Sequence, residues 1–177
     1  MVWLIDQTPR HSPWVWLLTF ALLFLNLTQL AKSAQTSVEQ QIEHHLQEAQ
    51  AAEKSKDYDR AIVAYQRILK IRPQWALIHQ SLGVVYHLQS RFPEAIASLN
   101  RALKLDPSLW GSQLFLGMGY YRTNQFLKAI PALEQSLKLN PKLAENEARL
   151  WLGSSFLALN RFDEALAQFR RLSEMKP

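Results

Sequence analysis

The chain contains no cysteine. This absence excludes a disulfide framework, a thiolate metal site, a c-type haem attachment and a thiol nucleophile. The sequence also lacks the glycine-rich loops that cradle nucleotide phosphates, and it has no nucleophile elbow. We therefore expect a protein that has no cofactor and is not an enzyme.

The chain has a small excess of positive charge and few histidines. Its net charge is +5, and the positive residues are scattered. A nucleic-acid groove requires a basic stripe interleaved with aromatics. His44 and His45 are adjacent and cannot face the same way on a helix, whereas His79 and His87 lie about two turns apart. We predict neither a nucleic-acid partner nor a metal site.

One apolar run lies near the N-terminus, from Trp14 to Leu25. It is shorter than the roughly 20 residues that cross a bilayer core, and it matches the apolar region of a signal peptide. Arg10 and His11 precede it, and small residues follow it at Ala31, Ser33 and Ala34. We expect residues 1–34 to be a cleaved export signal or an uncleaved inner-membrane anchor through residues 14–30. Either role places the rest of the chain outside the cytoplasm, in the periplasm or secreted.

Four similar phrases divide the rest of the chain. One of them reads RFPEAIASLNRALKLDP, and the four end at Pro73, Pro107, Pro141 and Pro177, with spacings of 34, 34 and 36 residues. This period is typical of a solenoid built from helical pairs. The sequence therefore predicts an all-α repeat domain over residues 35–177, with an apolar helix before it. Its four repeats fall at about 42–75, 76–109, 110–143 and 146–177.

Each repeat is predicted to contain two helices joined by a short turn. The first helices are expected at Ser37–Lys54, Gln74–Leu88, Ser108–Arg122 and Ala144–Leu159. The second helices are expected at Asp59–Ile71, Pro93–Leu105, Leu127–Leu139 and Asp163–Glu174. Thr36 and Glu39 form a capping-box pattern at the first start. Pro131 is expected in the first turn of its helix or at a mild bend.

Small residues recur at one position of each helix. In the first helices they are Ala49, Gly83, Gly117 and Gly153, and in the second helices they are Ala61, Ala95, Ala129 and Ala165. Large residues follow one turn later on the same face. We predict that the small residues let the two backbones approach closely, and that the large residues fill the space beside this contact.

These residues resemble the tetratricopeptide repeat. The pattern runs through Leu82-Gly83, Tyr86, Ala95, Leu99 and Pro107, and it recurs in the next two repeats, so that the resemblance covers roughly residues 40–177. It implies a right-handed α-solenoid of four helix-turn-helix repeats. It also implies a non-catalytic protein–protein interaction scaffold, or adaptor, that binds a peptide or protein of unknown identity on its concave face.

The resemblance also implies which residues line the concave face. They are Leu77, Gln80, Val84, His87, Leu88, Leu114, Met118, Tyr121, Arg122, Leu150, Ser154 and Leu157. Their apolar surplus favours a groove for an extended peptide or a helix. Family members that clamp a carboxylate use Lys and Asn here, whereas this chain has Gln80, Val84, Leu114 and Met118. The alternative is that some of these residues pack against the N-terminal segment or a neighbouring chain.

We expect the last predicted helix to leave apolar residues partly bare on its outer edge, namely Phe169, Leu172 and Leu166. A solenoid usually closes with a polar helix, because its final pair otherwise presents an apolar face. We expect this edge to be covered by a partner, by self-association, or by residues that a truncated gene product lacks. The alternative function is therefore a membrane-tethered structural assembly subunit that makes its contacts through the repeat ends.

Overall fold

The computed structural model describes residues 13–174, and this part of the chain is helical with no strand. It contains the helices α1 Pro13–Lys54, α2 Tyr58–Ile71, α3 Ala76–Leu88, α4 Phe92–Leu105, α5 Trp110–Arg122, α6 Phe126–Leu139, α7 Pro141–Ala158 and α8 Phe162–Glu174. The prediction of an all-α solenoid is confirmed. The chain divides into two compact units, Met1–Gln41 and Ile42–Pro177.

Helix α1 is much longer than the sequence analysis predicted. No glycine or proline follows Pro13 within it, so nothing interrupts the helix before Lys54. The predicted capping box is wrong, because the Thr36 hydroxyl donates to the Lys32 carbonyl oxygen at 2.9 Å, inside the helix.

The predicted N-terminal segment is described in part. Arg10 and His11 lie outside the described residues, whereas the apolar run that follows them belongs to α1. Large apolar side chains on this part of α1 are exposed, at Leu17, Phe20, Leu22, Leu23, Phe24, Leu25, Leu27 and Leu30. Among the described residues, no helix has both the length and the apolar character that crossing a membrane requires.

The bounds of the later helices agree closely with the prediction, except at α7. This helix begins at Pro141 instead of Ala144. Asn140 ends α6 and also caps α7, because its side-chain oxygen accepts from the Leu143 backbone N–H at 3.2 Å. Pro131 lies inside α6, beyond the first turn, which was one of the two placements that we expected, and its side chain is exposed.

A glycine notch closes each of the last three hairpins. A Cβ atom placed on Gly83 would lie 2.6 Å from Leu99 Cγ, and one on Gly117 would lie 2.5 Å from Leu133 Cγ. At Gly153 the nearest atom is Phe169 Cε1, at 2.6 Å. A Cβ at these separations would force the neighbouring side chain to move, so the prediction of close approach is confirmed at these three glycines.

The turn within each hairpin contains a non-glycine residue with positive φ. These residues are Lys56, Ser90, Asn124 and Asn160, with φ between 58° and 60°. At the second turn the Arg91 N–H donates to the Tyr86 carbonyl oxygen at 2.9 Å, five residues back. This is a Schellman motif, in which glycine is the usual left-handed residue.

Candidate partner-binding surface

The predicted concave-face residues differ widely in exposure. Leu77, Leu88, Leu150 and Leu157 are each about half exposed, between 45% and 52%. Arg122 is exposed as well, whereas the partly buried residues are Gln80, Val84, His87, Met118, Tyr121 and Ser154. Leu114 is 6% exposed and belongs to the core that α5, α6 and α7 share. The four half-exposed leucines are therefore the apolar side chains of this set that a partner can reach most fully.

A straight row of leucines follows α7. Leu143, Leu150 and Leu157 are seven residues apart, which places them about two turns apart on one face of the helix, and all three are exposed. Sequence analysis missed Leu143, because it placed the start of this helix at Ala144 instead of Pro141. We call these three residues the α7 leucine row.

Helix α5 lies between α3 and α7 and packs against both. On α3, Leu77, Val84 and Leu88 fall on one face at helical spacing, and the two leucines are exposed. Met118 of α5 is partly buried against the core. Three first helices thus place apolar side chains along neighbouring stretches of the surface.

The side chain of Gln80 forms a hydrogen bond that links two repeats. Its side-chain oxygen accepts from the Ser112 hydroxyl at 2.8 Å, and it lies 3.5 Å from the position that a Cβ on Gly111 would occupy. Ser112 is fully buried. This hydrogen bond fixes Gln80 against α5, so its amide serves the contact between repeats.

Two aromatic clusters join successive repeats at equivalent positions. In the first, the ring of His87 lies edge-on to Phe92 and Phe115, with centroids 5.3 and 5.5 Å away. In the second, Tyr121 lies edge-on to Phe126 and Trp151 in the same way, at 5.4 and 5.0 Å. Edge-to-face contacts at these distances are favourable. Residues 87 and 121 are therefore held by their neighbours at the edge of the candidate surface.

His87 is the titratable group most affected by this packing. Burial lowers the pKa of His87, and the positive charge of Arg122 lowers it further. Its Nδ1 atom is buried and has no hydrogen-bond partner among the described residues. The ring is therefore uncharged at neutral pH.

The structure brings His44 and His45 closer together than their adjacency suggested. Their ring nitrogens and the Glu48 carboxylate all lie within 4.8 Å of one another. Glu48 already accepts from Arg60 Nε at 3.4 Å and from Arg67 Nη1 at 3.3 Å. The hydrogen bond from His45, together with these arginines, lowers the pKa of Glu48. Two guanidinium groups beside the carboxylate oppose a further cation.

The fold defines a solenoid of antiparallel helical pairs. The family model of the tetratricopeptide repeat matches residues 46–109 and 116–177, which is more than half of the chain. The chain therefore belongs to the tetratricopeptide repeat family, as the sequence motifs predicted.

Solved structures share the fold at low sequence identity. The first tetratricopeptide repeat domain of Spaghetti (RPAP3), bound to an HSP90 peptide, is 21% identical with a TM-score of 0.64, over 68% of this chain and 94% of that one. MamA of Desulfovibrio magneticus RS-1 is 23% identical with a TM-score of 0.70, over 76% and 75%. An O-GlcNAc transferase of Thermobaculum terrenum is 25% identical with a TM-score of 0.60, but only 22% of that chain is covered. No curated protein matches the chain.

Proposed function

We propose that this protein is a non-catalytic interaction scaffold that binds an apolar peptide or helix of a partner along α3, α5 and α7. The observation that supports this proposal is the α7 leucine row together with Leu77 and Leu88. The cores of the last three hairpins are already filled at their glycine notches, and none of these leucines belongs to a core cluster. Exposed apolar side chains in a row favour a partner that presents apolar side chains at matching intervals.

The chemistry of the surface distinguishes this partner from an acidic peptide terminus. Gln80 is engaged by Ser112, and Leu114 is buried. Val84 and Met118 carry no charge. A carboxylate would find no cation at these four positions, whereas leucine-rich or aromatic side chains would find an apolar surface.

Peptide selection on the full chain tests the proposal. Peptides from a random display library should be enriched in apolar residues. The double substitution Leu150→Asp/Leu157→Asp should weaken their binding about tenfold or more, since truncating a central contact costs more than about 1 kcal/mol. Fluorescence anisotropy of a labelled selected peptide measures the change.

The matched control is Leu127→Asp. Leu127 is more exposed than the leucines of the proposed binding surface, but it lies on α6, which is the second helix of its repeat. Binding should be unchanged in this variant. Equal weakening by Leu127→Asp, or undiminished binding to the double variant, would show that the leucines of α7 are not the binding surface.

We also propose that residues 1–34 direct the chain out of the cytoplasm, as a cleaved signal or as an anchor. The apolar run and the small residues after it support this proposal. N-terminal sequencing of the protein isolated from its native envelope should give a start after Ser33 or Ala34 if the signal is cleaved. The original N-terminus in a membrane fraction indicates an anchor, and the same terminus in the cytoplasm contradicts both.

The alternative function is a structural assembly subunit that makes its contacts through the repeat ends. One observation favours this candidate, namely the exposure of Phe162 and Leu166 on the last described helix.

A further inference from the structure

The outer face of α8 exposes residues whose equivalents are covered in the earlier repeats. Ile62 of α2 and Ile130 of α6 are 6% and 8% exposed, whereas Leu166, at the same repeat position of α8, is 49% exposed. Phe92 and Phe126 are partly buried, whereas Phe162 is 62% exposed. The same side of the second helix is thus packed in the inner repeats and open on α8.

The inner repeats show how this side is covered. Phe92 lies against His87 of its own hairpin and beneath the guanidinium of Arg122, which comes from the next repeat, at 5.1 Å from the ring centroid. Ile96 reaches the α5 backbone so closely that a Cβ on Gly119 would lie 3.1 Å from its Cγ1. A helix that carries an arginine therefore fits against a phenylalanine and an aliphatic residue one turn later.

Helix α8 carries both halves of this contact. Phe162, Leu166 and Arg170 are four residues apart, so they fall along one side of the helix, and all three are exposed. The spacing is symmetric about Leu166. If two α8 helices pack antiparallel with Leu166 at the centre, Phe162 of each copy faces Arg170 of the other. The guanidinium then lies over the ring, as Arg122 lies over Phe92.

The charges on α8 suit the same arrangement. Asp163 follows Phe162 and lies on the side that Arg170 of an antiparallel second copy would approach. Arg170 forms no ion pair within residues 13–174, and it is exposed. An antiparallel pair thus offers each copy one cation–π contact and one carboxylate for the arginine.

The first repeat does not offer a comparable surface. At the position of Phe115 and Trp151, α1 carries Gln47, whose side-chain amide donates to Glu43 at 2.8 Å. Both residues are exposed and polar. Head-to-tail stacking of copies would place the exposed Phe162 against this polar face. A closed pair that uses the same face twice avoids this mismatch.

We propose that the outer face of α8 is a self-association surface, on which a second copy of this chain packs its own α8 antiparallel around a twofold axis at Leu166. The inference uses neither the α7 leucine row nor any groove residue, so it does not depend on the proposed peptide binding.

Cysteine cross-linking tests the geometry, because the natural chain contains no cysteine. Full-length Leu166→Cys should form a disulfide-linked dimer under mild oxidation. It should do so about tenfold or more faster than full-length Leu127→Cys, because a pair held in contact has a far higher effective concentration of thiol. A mixture of Phe162→Cys and Arg170→Cys chains should give mainly the mixed dimer. Denaturation in urea should remove these differences.

Several results would overturn the inference. Equal rates for Leu166→Cys and Leu127→Cys would mean that α8 is not a contact. In the mixture of Phe162→Cys and Arg170→Cys chains, a preference for disulfides between two identical variants would mean a parallel arrangement. Sedimentation should also show that Leu166→Asp shifts the full chain toward monomer, and an unchanged association state in this variant contradicts the proposal.

The cross-linking also separates this inference from the proposed function. The variant Leu150→Asp/Leu157→Asp, with Leu166→Cys added, should still cross-link although it binds peptide more weakly. Leu166→Asp should bind the selected peptide as the natural chain does. Loss of peptide binding by the double variant and loss of cross-linking are therefore independent outcomes.

Discussion

Two glycines on α5 differ in what surrounds them. A Cβ on Gly117 would lie 2.5 Å from Leu133 Cγ and 3.2 Å from the Ala129 carbonyl oxygen, whereas a Cβ on Gly111 would meet nothing nearer than 3.5 Å. We predict that Gly117→Ala lowers the free energy of unfolding by about 1–3 kcal/mol, because it forces the two helices apart. Urea unfolding followed by circular dichroism measures this effect.

Gly111→Ala is the matched control for this prediction. It adds the same methyl group to the same helix, and the helix propensity of alanine should leave stability unchanged or raise it by up to about 1 kcal/mol. Equal stability of the two variants would contradict the glycine notch.

The packing around His87 should make the free energy of unfolding depend on pH. Its folded-state pKa is lowered, whereas the unfolded chain binds a proton near pH 6.5. The unfolded state therefore holds more protons in this range, and the free energy of unfolding should fall as pH drops from 7 through 6.5 toward the folded-state value. His87→Phe should keep the edge-on contacts and reduce this slope.

The measurement for His87 is urea unfolding at several pH values between 5 and 8. This range lies above the usual carboxylate pKa values of about 4. The lowered pKa values of Glu94 and Glu164 therefore contribute little to the slope. A variant whose stability depends on pH as strongly as that of the natural chain would show that His87 is not responsible.

At the scale of single helices, α6 tolerates a proline within it. Pro131 cannot donate the backbone hydrogen bond that other residues at this position supply, and its side chain is exposed. Pro131→Ala should therefore raise the free energy of unfolding, by up to about 3 kcal/mol. Thermal unfolding should show a higher Tm.

The reverse exchange at the equivalent position of α4 is the control. Ala97 is exposed and is the sixth residue of α4, as Pro131 is of α6. Ala97→Pro should lower stability by a similar amount. A fall in Tm for Pro131→Ala would mean that the proline supports a bend that the solenoid needs.

Most helix bounds could be predicted from the sequence because prolines and the repeat period mark them. The start of α7 could not, since Pro141 was interpreted as the end of the preceding repeat, whereas a proline also suits the first turn of a helix. The length of α1 was missed because the capping pattern at Thr36 predicted a start there, although no glycine or proline between Trp14 and Thr36 interrupts the helix. Asn124 and Asn160 are common in left-handed turns, but Lys56 and Ser90 gave no such signal.

The candidate surface was predictable only in part. The resemblance placed Leu114 and Leu150 at the same repeat position, and the structure gives them different environments. Leu114 is 6% exposed and belongs to a core cluster with residues of α6 and α7, whereas Leu150, in the first helix of the last repeat, is 45% exposed. Exposure depends on the neighbouring repeat, which a single repeat pattern does not encode.

At the scale of the whole molecule, each hairpin contacts its neighbours and little else. A Cβ on Gly153 would lie 2.6 Å from Phe169 Cε1, so Gly153→Ala should loosen α7 from α8. Because α8 packs mainly on α7 among the described helices, we predict faster hydrogen exchange over residues 141–174 and unchanged exchange over residues 58–122.

Hydrogen exchange with mass spectrometry measures this directly. Gly117→Ala is the internal comparison, and its effect should extend to the repeats on both sides. Uniform loss of protection in Gly153→Ala would mean that the repeats unfold as one cooperative unit.

The shared residue Asn140 has a mechanical consequence. Helices α2 and α3 are joined by residues 72–75, and α4 and α5 by residues 106–109, whereas α6 and α7 are joined by Asn140 alone. Under tension along the superhelix, a four-residue linker can extend, because its backbone torsions are free to rotate. The single-residue linker at Asn140 can extend very little. Elastic extension should therefore concentrate in the first half of the domain, and the last three helices should move together.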